Sequence, residues 1–108
     1  YNKDALRIFK KNIIDLQNRG NKIIFLMTPY QHSIFRKGNE NISNYLVTME
    51  KLILELGEDL DVNIYGSYKP EISDCQPDEF YDFMHPRKEC LAKIKLRRIF
   101  LTKTMKRL

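Results

Sequence analysis

The 108-residue sequence predicts an α/β protein with parallel strands, in the element order α-β-α-β-loop-α. Three observations carry this. Two segments place apolar residues at three- and four-residue spacing, the signature of one helix face turned to a core. The run Ile23-Ile24-Phe25-Leu26-Met27 is short, continuous and apolar, as a strand in a parallel sheet is. Leu60 to Tyr65 alternates apolar and polar residues. A strand, a helix and a second strand in that order imply a right-handed crossover with the strands parallel.

From Asp4 to Asn18, residues Ala5, Leu6, Ile8, Phe9, Ile13, Ile14 and Leu16 form the apolar side of the first helix. Gly20 sits where a left-handed helix end belongs. The strand over 23–27 stops at Thr28-Pro29, and its composition predicts burial on both faces and neighbours on both edges. Thr28 to Asn41 is polar and irregular, a loop at the carboxyl end of a strand, where α/β folds handle ligands. Asn41 or Ser43 is expected to cap a second helix, with Tyr45, Leu46, Met49, Leu52, Ile53 and Leu56 as its apolar positions and Gly57 as its end. The second strand, over 60–65, has one wetter face, as at a sheet edge. Ser67 to Tyr81 contains Pro70 and Pro77 and little periodicity, so it is expected to be an extended loop with one helical turn near Asp78 to Phe80. Pro86 suits the first turn of a last helix running from about Arg87 toward Thr104.

A chain of this length holds one core at most. Two parallel strands do not make a domain, so the chain is expected to be a single partial domain, residues 1–108, completed by a missing N-terminal half or a second copy of itself. The start at Tyr1 fits an excised piece. No apolar run approaches the roughly 20 residues of a membrane-spanning helix, and there is no basic-then-apolar leader pattern. The net charge of +5 is uneven: Arg87 to Leu108 holds nine Lys or Arg against Glu89 alone, and the remainder is net acidic. A uniformly basic nucleic-acid binder is thereby excluded, and residues 101–108 read as a frayed basic tail. Cys75 and Cys90 are too few for a disulfide scaffold. They are read either as two free thiols or as one pair.

The residues with chemistry are Asp82 and His85, three apart at the junction between the long loop and Pro86. In a serine-nucleophile triad, histidine takes the nucleophile's proton while a carboxylate fixes its tautomer and stabilises the imidazolium. The plain alternative makes Asp82 a helix cap and His85 a loop residue. Tyr30 and His32, just after the first strand, are candidates for lining a substrate pocket, with surface decoration as their plain alternative. Cys75, Asp82, His85 and Cys90 match no compact metal spacing, and neither a metal nor a cofactor is predicted.

Gln17-Asn18-Arg19-Gly20-Asn21, then Lys22-Ile23-Ile24-Phe25-Leu26-Met27 followed by Thr28-Pro29, and finally Phe80-Tyr81-Asp82-Phe83-Met84-His85-Pro86 together resemble the SGNH or GDSL-like hydrolases. Within that family they are most similar to the subgroup of teichoic-acid D-alanyl-transfer and alginate-acetylation proteins. The resemblance covers roughly residues 4–100. It implies the C-terminal portion of a three-layer α/β/α, flavodoxin-like fold, with His85 as general base and Asp82 as its orienting partner. It implies a serine-dependent esterase or acyltransferase acting on O-acyl groups of a glycan, lipid or envelope polymer, and an extracytoplasmic or membrane-associated envelope location, the cytoplasm being the alternative. The family's N-terminal Gly-Asp-Ser-type block and its Gly and Asn oxyanion donors have no counterpart here. Ser67 and Ser73 lie in no strand-to-helix elbow and read as turn and loop hydroxyls. Arg87-Lys88-Glu89-Cys90 departs from the small residue or glycine common after the family's histidine. The chain by itself is therefore expected to be inactive.

A second function class rests on the tail. If Lys93, Arg97 and Arg98 share one helical face, the chain is a noncatalytic interaction module whose basic C-terminal helix meets anionic polymer, membrane or another anionic surface. A solvated charged face is the plain reading of the same residues.

Overall fold

The computed structural model describes residues 2–98, and it is a mixed α/β structure. The first helix, α1 (Lys3–Asn18), begins at Asn2, whose side chain accepts the amides of Asp4 and Ala5 at 2.8 and 3.1 Å. After β1 (Ile24–Met27) and a single 3-10 turn at His32–Phe35 comes α2 (Glu40–Leu60). The second strand, β2 (Asn63–Gly66), pairs with β1 in parallel, with Ile24 opposite Asn63 and Met27 opposite Gly66. Two 3-10 turns (Pro70–Ser73 and Pro77–Glu79) lead to a small hairpin, β3 (Phe80–Asp82) and β4 (His85–Pro86). A one-turn helix, α3 (Lys88–Leu91), and β5 (Leu96–Arg98) follow.

The last helix expected from Arg87 toward Thr104 is not formed within the described residues. Its place is taken by α3 and by β5, which pairs antiparallel with β2. Cys90 is held in the core and Arg97 is drawn to Glu50, and neither constraint suits one continuous helix. Lys93, Arg97 and Arg98 therefore do not share a helical face. The tail at 101–108 lies outside the described residues.

The sheet order is β1-β2-β5, which exchanges the expected roles of the first two strands. The alternating strand β2 is central, and the apolar strand β1 is an edge among the described residues. Burial on both faces also fails. Phe25 packs on the cluster of Ile13 of α1 with Leu60 and Val62 and also on that of Met27 and Ile64, which Ile53 of α2 covers too. Because side chains alternate along a strand, both helices cover the face carrying Ile23, Phe25 and Met27. The opposite face is bare: Ile24 and Leu26 are 50% and 56% exposed. The alternation in β2 records the same asymmetry, with Val62 and Ile64 inside and Asn63 and Tyr65 half-covered.

The second helix starts after Asn39 rather than at Asn41 or Ser43, and it runs through Gly57 to a left-handed Asp61. Gly57 does not end the helix because it serves as a contact surface. A Cβ there would come within 2.5 Å of the Ile64 side chain, so the missing methyl lets α2 lie close on β2. At the end of β2, Gly66 has φ +79°, and a Cβ would press into the Met27 carbonyl oxygen. Glycine is required there on both counts.

Candidate active site

The Asp82-Phe83-Met84-His85 segment is the reversal between β3 and β4, with Asp82 and His85 as opposed partners. Asp82 Oδ1 accepts the backbone amides of Met84 and His85, both at 2.9 Å, which ties the carboxylate to its own turn. The His85 ring then closes onto it, Nδ1 lying 2.9 and 2.8 Å from Oδ1 and Oδ2. The Met84 amide first, and the His85 ring second, hold the Asp82 carboxyl below its ordinary range. An ionised carboxylate against Nδ1 selects the tautomer with the proton on Nδ1 and leaves Nε2 as the basic nitrogen. Asp82 thus both caps a backbone turn and orients a histidine.

The hairpin is held from below and from the side. Cys75 and Cys90 form a disulfide, and with Phe80 they make a small buried cluster under β3. Glu79 accepts the Lys93 ammonium at 2.7 Å and the Gln76 amide at 2.7 Å. Lys93 first and that amide second lower its pKa. The Arg87 amide donates to the Glu79 carbonyl at 2.7 Å, and the Arg87 guanidinium lies 4.4 Å from the centre of the Tyr81 ring. From the side, the Gln31 amide donates to the Phe83 carbonyl at 2.8 Å, and the Tyr30 amide donates to the Tyr68 carbonyl at 2.9 Å. The loops after β1 and β2 thereby join each other and the hairpin. The Asp82–His85 pair stands at the carboxyl ends of the parallel strands, where ligands of α/β sheets are handled.

Tyr30 and His32 lie in this belt, though neither is an open rim residue. The Tyr30 ring meets Tyr68 edge-on at 5.7 Å, and His32 meets Phe80 edge-on at 6.2 Å. The His32 Nδ1 is buried without a hydrogen-bond partner. His32 thus packs on the base of the hairpin and Tyr30 on the loop after β2, and both keep part of their surface in solvent. Ser67 and Ser73 are buried, Ser67 within hydrogen-bond distance of Glu50, so neither presents a nucleophile. With Cys75 and Cys90 joined, no cluster of three or more metal-ligating side chains exists among the described residues.

Sequence reasoning missed the residue that locks this end of the sheet. Glu50 of α2 is buried; its carboxylate accepts the Ser67 hydroxyl at 2.7 Å, the Tyr68 amide at 2.8 Å and the Arg97 guanidinium at 2.5 Å. Burial alone pushes its pKa up, but Arg97, Ser67 and the Tyr68 amide together bring it below the ordinary value. The signal was present: Glu50 falls four residues after Leu46 and three before Ile53, on the apolar stripe of α2. An acid on that stripe needs a buried cation or donors.

The pair itself is open, the side chains of His85 and Asp82 being 66% and 50% exposed. Phe83 and Met84 between them are also exposed. The arrangement can deliver a base at Nε2, and the buried Ser67 and Ser73 do not offer it a nucleophile. No family model, no curated protein and no solved structure matches the chain. No helix among the described residues is long and apolar enough to cross a membrane.

Proposed function

We propose that this chain is the C-terminal part of a serine-dependent esterase or acyltransferase of the SGNH type, with a three-layer α/β/α domain when complete. Its substrates are O-acyl groups on a glycan, lipid or envelope polymer. His85 acts as general base and Asp82 orients it; the serine arrives from polypeptide outside the described residues. The observation that carries this reading is the 2.8 Å contact between Asp82 and His85 Nδ1, within a turn whose amides fix the carboxylate at the carboxyl ends of two parallel strands. A histidine so held has the proton on Nδ1 and a basic Nε2, which is what proton abstraction from a serine hydroxyl requires. The exposure of the pair is consistent with a site covered only when the nucleophile-bearing part is present.

The test uses the protein with any residues encoded upstream of Tyr1 included. Hydrolysis of a short-chain aryl ester is expected, falling at least about 10³-fold in His85→Ala and steeply in Asp82→Asn. The chain from Tyr1 alone should be inactive. Full activity in His85→Ala, or an upstream region without a strand followed by a Gly-Asp-Ser-like block, removes the enzyme reading.

A further inference from the structure

We propose that the cleft between α1 and α2 binds a free fatty carboxylate, its alkyl chain lying along β1 and its head held by cations on one flank of α1. The cleft has a volume of about 550 Å³ and is bounded by α1, β1 and α2, with Phe9, Met27, Met49 and Leu52 among its walls. That volume lies within the roughly 300–1,000 Å³ of small-ligand sites. Asn2 is the one polar residue lining it among the described residues, and its side-chain oxygen already accepts the amides of Asp4 and Ala5. Walls of this kind stabilise an apolar occupant and offer a polar one nothing to pair with.

A second observation supplies the head. Lys3, Arg7, Lys10 and Lys11 bound a shallow depression on α1, and Leu6 lines both this depression and the cleft. Spacings of three and four residues put these cations on one flank of the helix. Lys10 lies 3.6 Å from Asp59 of α2, so the flank is turned toward α2 and borders the cleft. Arg7 lies 3.8 Å from Asp4, whereas Lys3 and Lys11 make no ion pair among the described residues. An uncharged cleft bordered by excess positive charge matches an anion carried on an alkyl chain.

The floor of the cleft is a single four-residue strand, about 13 Å long, which suits one alkyl chain and not the paired chains of a membrane lipid. A two-fold pair of proteins centred on the cleft would bring the two cationic flanks toward each other, which disfavours a second copy. The binding involves α1, β1 and α2 alone and is independent of whether His85 serves as a base.

Calorimetric titration of the chain with octanoate, decanoate and laurate, each below its micelle concentration, tests the proposal. Affinity should rise about fourfold per added methylene, and the Met27 and Met49 methyl signals should shift on binding in NMR spectra. Lys3→Glu/Arg7→Glu should weaken decanoate at least about fivefold and leave decanol unchanged. Ala5→Trp, which fills the cleft from an exposed helix position, should weaken both; if it unfolds the chain, the ligand series on the unaltered protein still decides. Equal affinity along the series overturns the proposal, as does a charge-reversed protein that binds decanoate as tightly as before. Binding to anionic vesicles without binding of monomeric carboxylates also overturns it, because the partner is then a membrane surface. So do Met27 and Met49 signals that respond to protein concentration and not to carboxylate, because the occupant is then a second copy.

Discussion

Glu50→Ala tests the contact that joins α2, β2 and β5. The Glu50 and Arg97 side chains are only 9% and 24% exposed, and the carboxylate is the meeting point of a guanidinium, a hydroxyl and a backbone amide. Deleting it strands all three. Removing one partner of a buried ion pair costs about 3–5 kcal/mol, and the residual exposure of Arg97 places this case near the lower end, about 3 kcal/mol. With a urea m-value of about 1.5 kcal/mol/M for a domain of this size, the unfolding midpoint should fall by about 2 M. Glu50→Gln keeps an acceptor for Ser67 and Tyr68 and should lose about half as much. Because Glu50 and Arg97 are in contact, Glu50→Ala/Arg97→Ala should be less destabilised than the sum of the single variants by at least about 1 kcal/mol. A midpoint shift below about 0.5 M for Glu50→Ala, or strict additivity in the double variant, would refute the idea that this carboxylate joins α2, β2 and β5.

Cys75→Ala/Cys90→Ala removes a cross-link closing a 15-residue separation, and it should lower stability by about 3 kcal/mol in chemical unfolding; an unchanged midpoint would show that the bridge constrains nothing. The Asp82 carboxyl is held below its ordinary range, so the turn it supports should persist as pH falls past the usual aspartate value of about 3.9 and be lost only below it, as the carboxylate protonates. The Met84 amide shift, followed by NMR, should report that low midpoint, and Asp82→Asn should abolish the transition; a midpoint at or above 3.9 contradicts the hydrogen-bonded geometry.

Much of the fold was legible because period and length are local properties. Both long helices and both parallel strands follow from spacing alone, and the Asp82–His85 pair meets because three residues span a tight turn. What failed was non-local. The bounds of β2 shifted because Leu60 belongs to α2, which runs through Gly57; nothing local marks Gly57 as a site of close approach by Ile64. The basic stretch after Pro86 has helical spacing, yet the Cys75–Cys90 bridge and the Glu50–Arg97 pair hold it as one turn and a strand. Which strand is the edge could not be read either. The apolar run of β1 encodes a need for cover on both faces, and the described residues supply it on one.

An exposed carboxylate–imidazole contact contributes little to stability, so beyond the two amides that Asp82 accepts within its own turn the hairpin rests on its surroundings. The arrangement is inherited. The disulfide and Phe80 set the base of the hairpin, the Gln31 amide fixes its tip through the Phe83 carbonyl, and the Tyr30–Tyr68 link carries that tip back to the buried Glu50. Each support is independent of the charge on the pair. A rigid turn that presents a weakly bound, solvent-facing base is poorly explained as a stability device, because the fold gains little from the base. On the proposed function it is positioning, since a base that is to meet a nucleophile carried elsewhere gains from being held in place before that nucleophile arrives.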